Sequence, residues 1–138
     1  MLIRFLVWIF FLVISGCSSI GSAPPEEVVR ARAEAQGQAL IDQDFEKALS
    51  YTTPAYRDSA RAELYQANHS GSSFWLKTEV AWVKCDEVEN PERCNVRLWV
   101  FGQFPSPGRY TGQRGSDVPV SLDSVWIKID QQWYQYLK

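Results

Sequence analysis

The sequence predicts an α+β fold, with helices first and an antiparallel sheet after them, the helices packed on one face of the sheet. Three observations lead there. From Pro25 to Ile41, Val29, Ala33, Gly37 and Leu40 recur at a spacing that lies along one side of a helix. Two later runs, "WLKTEVAWVKC" and "CNVRLWVF", are rich in Val, Trp and Phe with period-two character, and they flank the acidic, Pro-containing "DEVENPER". Two further strand-like runs, "VPVSLDSVWIKID" and "WYQYLK", close the chain.

The N-terminus precedes the fold proper. Arg4, the apolar run Phe5 to Ile14 and the small pair Ser15 and Gly16 have the three-part grammar of a secretory signal. The run is shorter than the roughly 20 apolar residues that span a bilayer. Ile14-Ser15-Gly16-Cys17 resembles the lipobox of bacterial lipoproteins. That resemblance implies that residues 1–16 are cut away, that the Cys17 thiol carries a diacylglycerol, and that the new amino group is acylated, with palmitate as the expected fatty acid. Two or three chains anchor stably, where a single chain binds only marginally. The alternative is an ordinary signal that happens to be followed by Cys17, which would leave a lone thiol in an oxidising compartment. Ser18, in place of Asp, resembles the sorting pattern for the Gram-negative outer membrane, facing the periplasm. Residues 17–25 form a Ser/Gly/Pro tether that reaches at most about 30 Å.

Residues 26–138 are expected to form one domain, since the 122 residues left after cleavage suit one core better than two. In its first helix, Pro25 with Glu26 and Glu27 suits an opening turn. Asp44 is the expected N-cap of a short second helix through Phe45, Ala48 and Leu49. Thr53-Pro54 reads as N-cap and first residue of a third, with Tyr56, Ala60, Leu64 and Ala67 along one side and Gly71 in "NHSGSS" as its stop.

In the strands, Cys85 and Cys94 are an even pair at short spacing in an exported chain, which points to a disulfide. Facing cysteines would set Val83 against Val96 and Ala81 against Leu98 on one side, with Trp82 against Arg97 and Val80 against Trp99 on the other. Both faces are then substantially apolar. A cation–π contact would join Trp82 and Arg97. The stretch "GQFPSPGRYTGQRGSD", with four glycines and two prolines in sixteen residues, reads as a long loop, either functional or simply mobile. "DQQ" reads as the tight turn of the last hairpin.

Several chemistries are excluded. The mature part carries 13 of the 14 Lys and Arg residues, scattered, against 16 Asp and Glu, so no nucleic-acid footprint is present. No Gly-x-Ser-x-Gly elbow, phosphate-binding glycine loop or HExxH motif occurs. The cysteine pair lacks the further ligands of a zinc site, and the acidic hairpin loop lacks calcium-loop spacing. No cofactor or metal is therefore expected. The single histidine, His69, reads as a solvated loop residue, and Glu79 and Asp123 as exposed strand residues; no catalytic residue is assigned.

Taken together, the first helix, "LIDQDFEKALSYTTPAYR", the helix ending in a Gly/Ser loop and the final "WIKIDQQWYQYL" resemble small exported members of the nuclear-transport-factor-2-like superfamily. The resemblance implies a strongly bent antiparallel sheet wrapped around helices to enclose an apolar pocket. Superfamily members include isomerases, dehydratases, binding modules and assembly subunits, so fold alone does not give function. The expected function is a lipid-anchored, non-catalytic binding or scaffolding module of the cell envelope. A protein holding a small apolar ligand and a dehydratase- or isomerase-type enzyme remain alternatives. The aromatic residues Trp75, Trp82, Trp99, Trp126, Trp133, Tyr134 and Tyr136 exceed what one pocket lining needs. They either fill the core or make the outer sheet face, with Trp82, Arg97 and Trp99, an interaction surface for an envelope partner or a homodimer.

Overall fold

A computed structural model describes residues 22–104 and 119–138. The signal, Cys17 and most of the tether, and residues 105–117 of the expected long loop, lie outside the described residues. Helix α1 spans Pro25–Ile41, opening on Pro25 with Glu26 and Glu27 in its first turn. Proline there gives up an N–H that no helical carbonyl would have accepted, and the two carboxylates favour the positive end of the helix dipole. The helix closes with Gln43 in the left-handed region at φ 58°. Gln43 N–H donates to Leu40 O and Asp44 N–H to Ala39 O, the paired bonds of a Schellman stop made without glycine. Among the described residues no helix is long and apolar enough to cross a membrane.

Helix α2, Phe45–Ser50, is capped by Asp44, which accepts from Lys47 N–H at 3.0 Å. Helix α3 begins at Pro54 with Thr53 as its cap, but it ends at Arg57. The expected third helix is thus corrected. Ser59 turns extended, its hydroxyl donates to Tyr56 O, and the chain continues as a 3-10 turn, Ala60–Leu64, helix α4, Tyr65–Asn68, and a second 3-10 turn, Ser70–Phe74. A serine bonding back to the preceding turn offers the backbone an alternative to helix. The large side chains buried here are Tyr56 and Tyr65, whereas Leu64 of the expected stripe is 57% exposed. Gly71 lies inside the second 3-10 turn and is not a helix stop.

The sheet is antiparallel, in the order β1 (Trp75–Cys85), β2 (Arg93–Gly102), β3 (Val120–Ile129) and β4 (Gln132–Tyr136). Asp130 and Gln131 join β3 to β4 with φ of 49° and 64°, so both central residues of this two-residue turn are left-handed, as the strand twist favours. A disulfide joins Cys85 to Cys94. From it the register runs Cys85 to Cys94, Val83 to Val96 and Trp82 to Arg97, and then shifts. A β-bulge at Ala81 sets Val80 against Leu98 and Glu79 against Trp99, so the expected pairs Ala81–Leu98 and Val80–Trp99 are not formed. The extra residue reverses the alternation of β1. Val80 returns to the buried side, and a carboxylate takes its expected place beside Trp99.

Helix α1 covers the inner face of the sheet. Val29 and Ala33 pack with Val80, Cys94, Val96, Trp126 and Trp133, and a second cluster joins Ala39 and Leu40 to Ala48, Tyr56 and Tyr65. The close approach of α1 to β1 needs glycine at position 37: a Cβ on Gly37 would stand 2.6 Å from Thr78 Oγ1. The free edge of β4 meets the segment after α2, where Gln135 N–H donates to Tyr51 O and Thr53 N–H to Gln135 O. The outcome is the α+β architecture expected, with N-terminal helices packed on a four-stranded antiparallel sheet.

Candidate functional site

Candidate sites lie on both sides of the sheet. On the outer face the register aligns Trp82, Arg97 and Asp123 side by side across β1, β2 and β3. Arg97 donates from Nε to Asp123 Oδ1 at 2.7 Å and from Nη2 to Oδ2 at 2.8 Å, a bidentate fork. Its guanidinium carbon lies 5.1 Å from the Trp82 ring centre, and Lys84 Nζ lies 5.2 Å from the same ring. These bonds hold the Arg97 pKa above its ordinary value and the Asp123 carboxyl below the usual carboxylate range. The next row sets Glu79, Trp99 and Ser121 together, and Trp99 is 36% exposed. Beside these rows, Trp82, Asn95, Asp123, Val125 and Tyr136 border an open groove of about 450 Å³.

The inner surface is a smaller cavity, about 190 Å³, between α1 and the sheet. Leu40, Leu98, Leu122 and Trp126 supply apolar wall, and Gln36, Ser124 and Gln135 supply polar groups. Gln36 is buried and its Nε2 donates to Gln135 Oε1 at 2.8 Å, with longer contacts to Ala48 O and the Tyr65 hydroxyl. His69 is half-buried and lines the same cavity. Its ring lies against Tyr65, centres 4.0 Å apart, and its Nδ1 is 2.8 Å from Tyr65 O. A carbonyl can only accept, so Nδ1 is the donor in this contact. Asp123 reaches the rim of this cavity as well, but its carboxylate is committed to Arg97.

Burial pushes the Tyr65 hydroxyl up to about 12, against the Gln36 hydrogen bond, which pulls it down. In the unfolded chain the phenol ionises near 10. Its contribution to stability is therefore intact below pH 10 and is lost as pH rises toward 12. Between those values the native protein should lose about 2–3 kcal/mol that Tyr65→Phe does not lose, a difference read from urea unfolding of both chains at each pH.

Of the residues singled out from sequence, Trp82 and Arg97 are brought together, and Trp99 stands on the same face one row away. Glu79 is exposed and ion-paired to Lys77. Trp126 and Trp133 belong to the core. Gln36 was not foreseen. Its only signal was position, a polar residue beside Gly37 on the apolar side of α1. Asp123 gained its role from the β2–β3 register, which no local pattern announces.

No protein-family model matches the chain, and no curated protein matches it. Solved structures do. A SEC-C-motif-containing protein from Psychrobacter arcticus is similar at a TM-score of 0.57 and 13% identity, over 85% of this chain and 63% of its own. The likeness is one of fold. This chain spans less than two thirds of that structure's length. A SEC-C-motif-containing protein from Rhodopseudomonas palustris gives a TM-score of 0.49 at 23% identity, over 82% of this chain and 75% of its own. A protein of the nuclear-transport-factor-2-like family from Streptomyces avermitilis gives 0.49 at 18% identity, over 79% and 89%.

Proposed function

We propose that this chain is a lipid-anchored module of the bacterial cell envelope, built on a nuclear-transport-factor-2-like domain, that binds an envelope protein on the outer face of its sheet. The observation that carries the binding assignment is the row Trp82–Arg97–Asp123 with Trp99 beside it. Tryptophan and arginine are the residues that most often dominate interface energy. Here the arginine is held in place before any partner arrives, between a carboxylate fork and an indole ring. Preorganisation lowers the ordering cost of association. The bulge at Ala81 supports the same reading, because it keeps this face from being uniformly apolar and mixes charge with aromatic surface. The anchor rests on Ile14-Ser15-Gly16-Cys17, and export agrees with the Cys85–Cys94 disulfide. Outer-membrane placement facing the periplasm rests on Ser18.

A second reading is favoured by the inner cavity, whose apolar walls and Gln36–Gln135 amide pair suit a small ligand with one polar end. The two readings separate in one experiment. Cells expressing the full chain are fed a clickable fatty acid, crosslinked, and the chain is purified from envelopes. Label lost in Cys17→Ser is expected, and retained label would refute the anchor. A crosslinked protein that falls at least tenfold in Trp82→Ala/Trp99→Ala, with the fold intact by circular dichroism, is expected for outer-face binding. An unchanged crosslink pattern would refute it, and a small molecule lost only in Gln36→Leu would establish the second reading.

A further inference from the structure

A second cluster lies where the helices meet the β4 edge, away from the outer row. The bridge between Thr52 and Gln135 holds Tyr51 beside the end of β4, which carries Tyr134. Arg32 of α1 reaches both rings, its guanidinium carbon 5.0 Å from the Tyr51 centre and 5.5 Å from that of Tyr134. Arg57 of α3 also comes to Tyr134, at 5.6 Å. Two guanidiniums thus gather at one ring. Among the described residues neither forms an ion pair with a carboxylate. Arg57 makes one long hydrogen bond, from Nη1 to Ser50 O at 3.3 Å. Arg32 is half-buried, donates to no other described residue, and has its Nε sealed from water without a partner. Burial lowers its pKa, Tyr51 and Tyr134 oppose that lowering, and the like charge of Arg57 adds a smaller push in the same direction as burial.

A structural cation–π contact accounts for one arginine on a ring. A second cation at the same ring adds repulsion, and neither fork meets the planar acceptor that guanidinium geometry is shaped for. A bound oxyanion removes both costs at once, accepting from the outer Nη groups while the tyrosine rings wall the site. We propose that Arg32 and Arg57, framed by Tyr51 and Tyr134, bind a phosphate group, either free or as the headgroup of a phospholipid.

The test titrates the full chain, in neutral detergent, with inorganic phosphate in one arm and dihexanoylphosphatidylglycerol in the other, by calorimetry. Saturable binding of at least one is expected, weakened tenfold or more in Arg57→Gln. Arg32→Lys keeps the stem and charge but loses the fork, and is expected to weaken binding with the melting temperature and circular dichroism retained. Binding of phosphate alone identifies a free-anion site, and binding of the short-chain lipid alone identifies a headgroup site. No saturable heat in either arm, or affinities unchanged in both folded variants, would overturn the proposal.

Discussion

Trp126→Ala is expected to destabilise the protein by about 3–5 kcal/mol, the usual range for removing a large aromatic from a packed core. Trp126 is 1% exposed and packs in the cluster of Val29, Ala33, Val80, Val96 and Trp133, between α1 and the sheet. Its neighbours cannot close the gap easily. In the sheet it stands between Cys94, fixed by the disulfide, and Gln135, fixed by Gln36. The indole Nε1 also donates to Ser124 Oγ at 3.2 Å, a bond that alanine forfeits. Against a total stability of about 5–15 kcal/mol for a domain of this kind, the loss is about a fifth or more. Urea unfolding should show a lower midpoint with an unchanged slope. Trp99→Ala provides the control, since Trp99 is 36% exposed on the opposite face and an exposed substitution changes stability by about 0.5 kcal/mol. Equal losses in the two variants would contradict the assignment of inner and outer faces on which the proposed binding surface depends.

That division of the tryptophans shows where the sequence is informative and where it stops. Helix starts were legible because they depend on local side-chain chemistry: Pro25, Asp44 and Thr53-Pro54 each act within one turn of the chain. The α1 stop was less legible, because Gln43 takes the left-handed position where glycine would have announced it. The last hairpin resembles it, with Asp130 and Gln131 in a turn that usually advertises itself as Asn-Gly. The strands were legible by composition, but their register was legible only near the disulfide. Trp82 opposite Arg97 follows from Cys85 opposite Cys94 by counting. Four residues from the bridge the count fails, since the Ala81 bulge answers a tertiary demand: both Val80 and Val83 pack toward α1, although they are three apart. Apolar residues three apart in a strand were the available signal. The broken third helix has the same origin. Tyr56 and Tyr65 are the side chains that the packing against α1 and α2 uses, and one continuous helix through Ala60 and Leu64 is not what forms there. His69 reaches the cavity because α4 brings it there, and a polar loop sequence carries no trace of that.

Breaking the Cys85–Cys94 disulfide is the second large effect, with an expected loss of about 2–5 kcal/mol. Two contributions add and can be separated. One is the bridge, which closes the loop across a sequence separation of 9 and so limits the freedom of the unfolded hairpin. In the chain-entropy account a loop of this size contributes roughly 2–3 kcal/mol. The other is burial: Cys94 is 0% exposed and packs in the core with Val96 and Trp126, so the residue that replaces it must fill the same space. Reduction of the native chain removes only the bridge. Cys85→Ala/Cys94→Ala removes bridge and sulfur volume together, and should lose more than reduction does. The loop between the cysteines makes the bridge matter further, because Asp86, Glu87, Glu89 and Glu92 gather negative charge where the strands must come together. Without the covalent link, that repulsion acts on the pairs next to it. Amide hydrogen exchange should therefore quicken first at Lys84–Asn95 and Trp82–Arg97, while β3–β4 pairs change little. Uniform acceleration across the sheet, or no change on reduction, would count against a bridge that sets this register. The consequence for binding follows from distance along the strands. Trp82 and Arg97 each lie three residues from a bridge cysteine, so the row proposed to meet a partner is held by the same bond, one that an oxidising compartment would keep closed. Reduction should then weaken partner crosslinking before it unfolds the chain, and a crosslink that survives until global unfolding would separate the disulfide from the binding face.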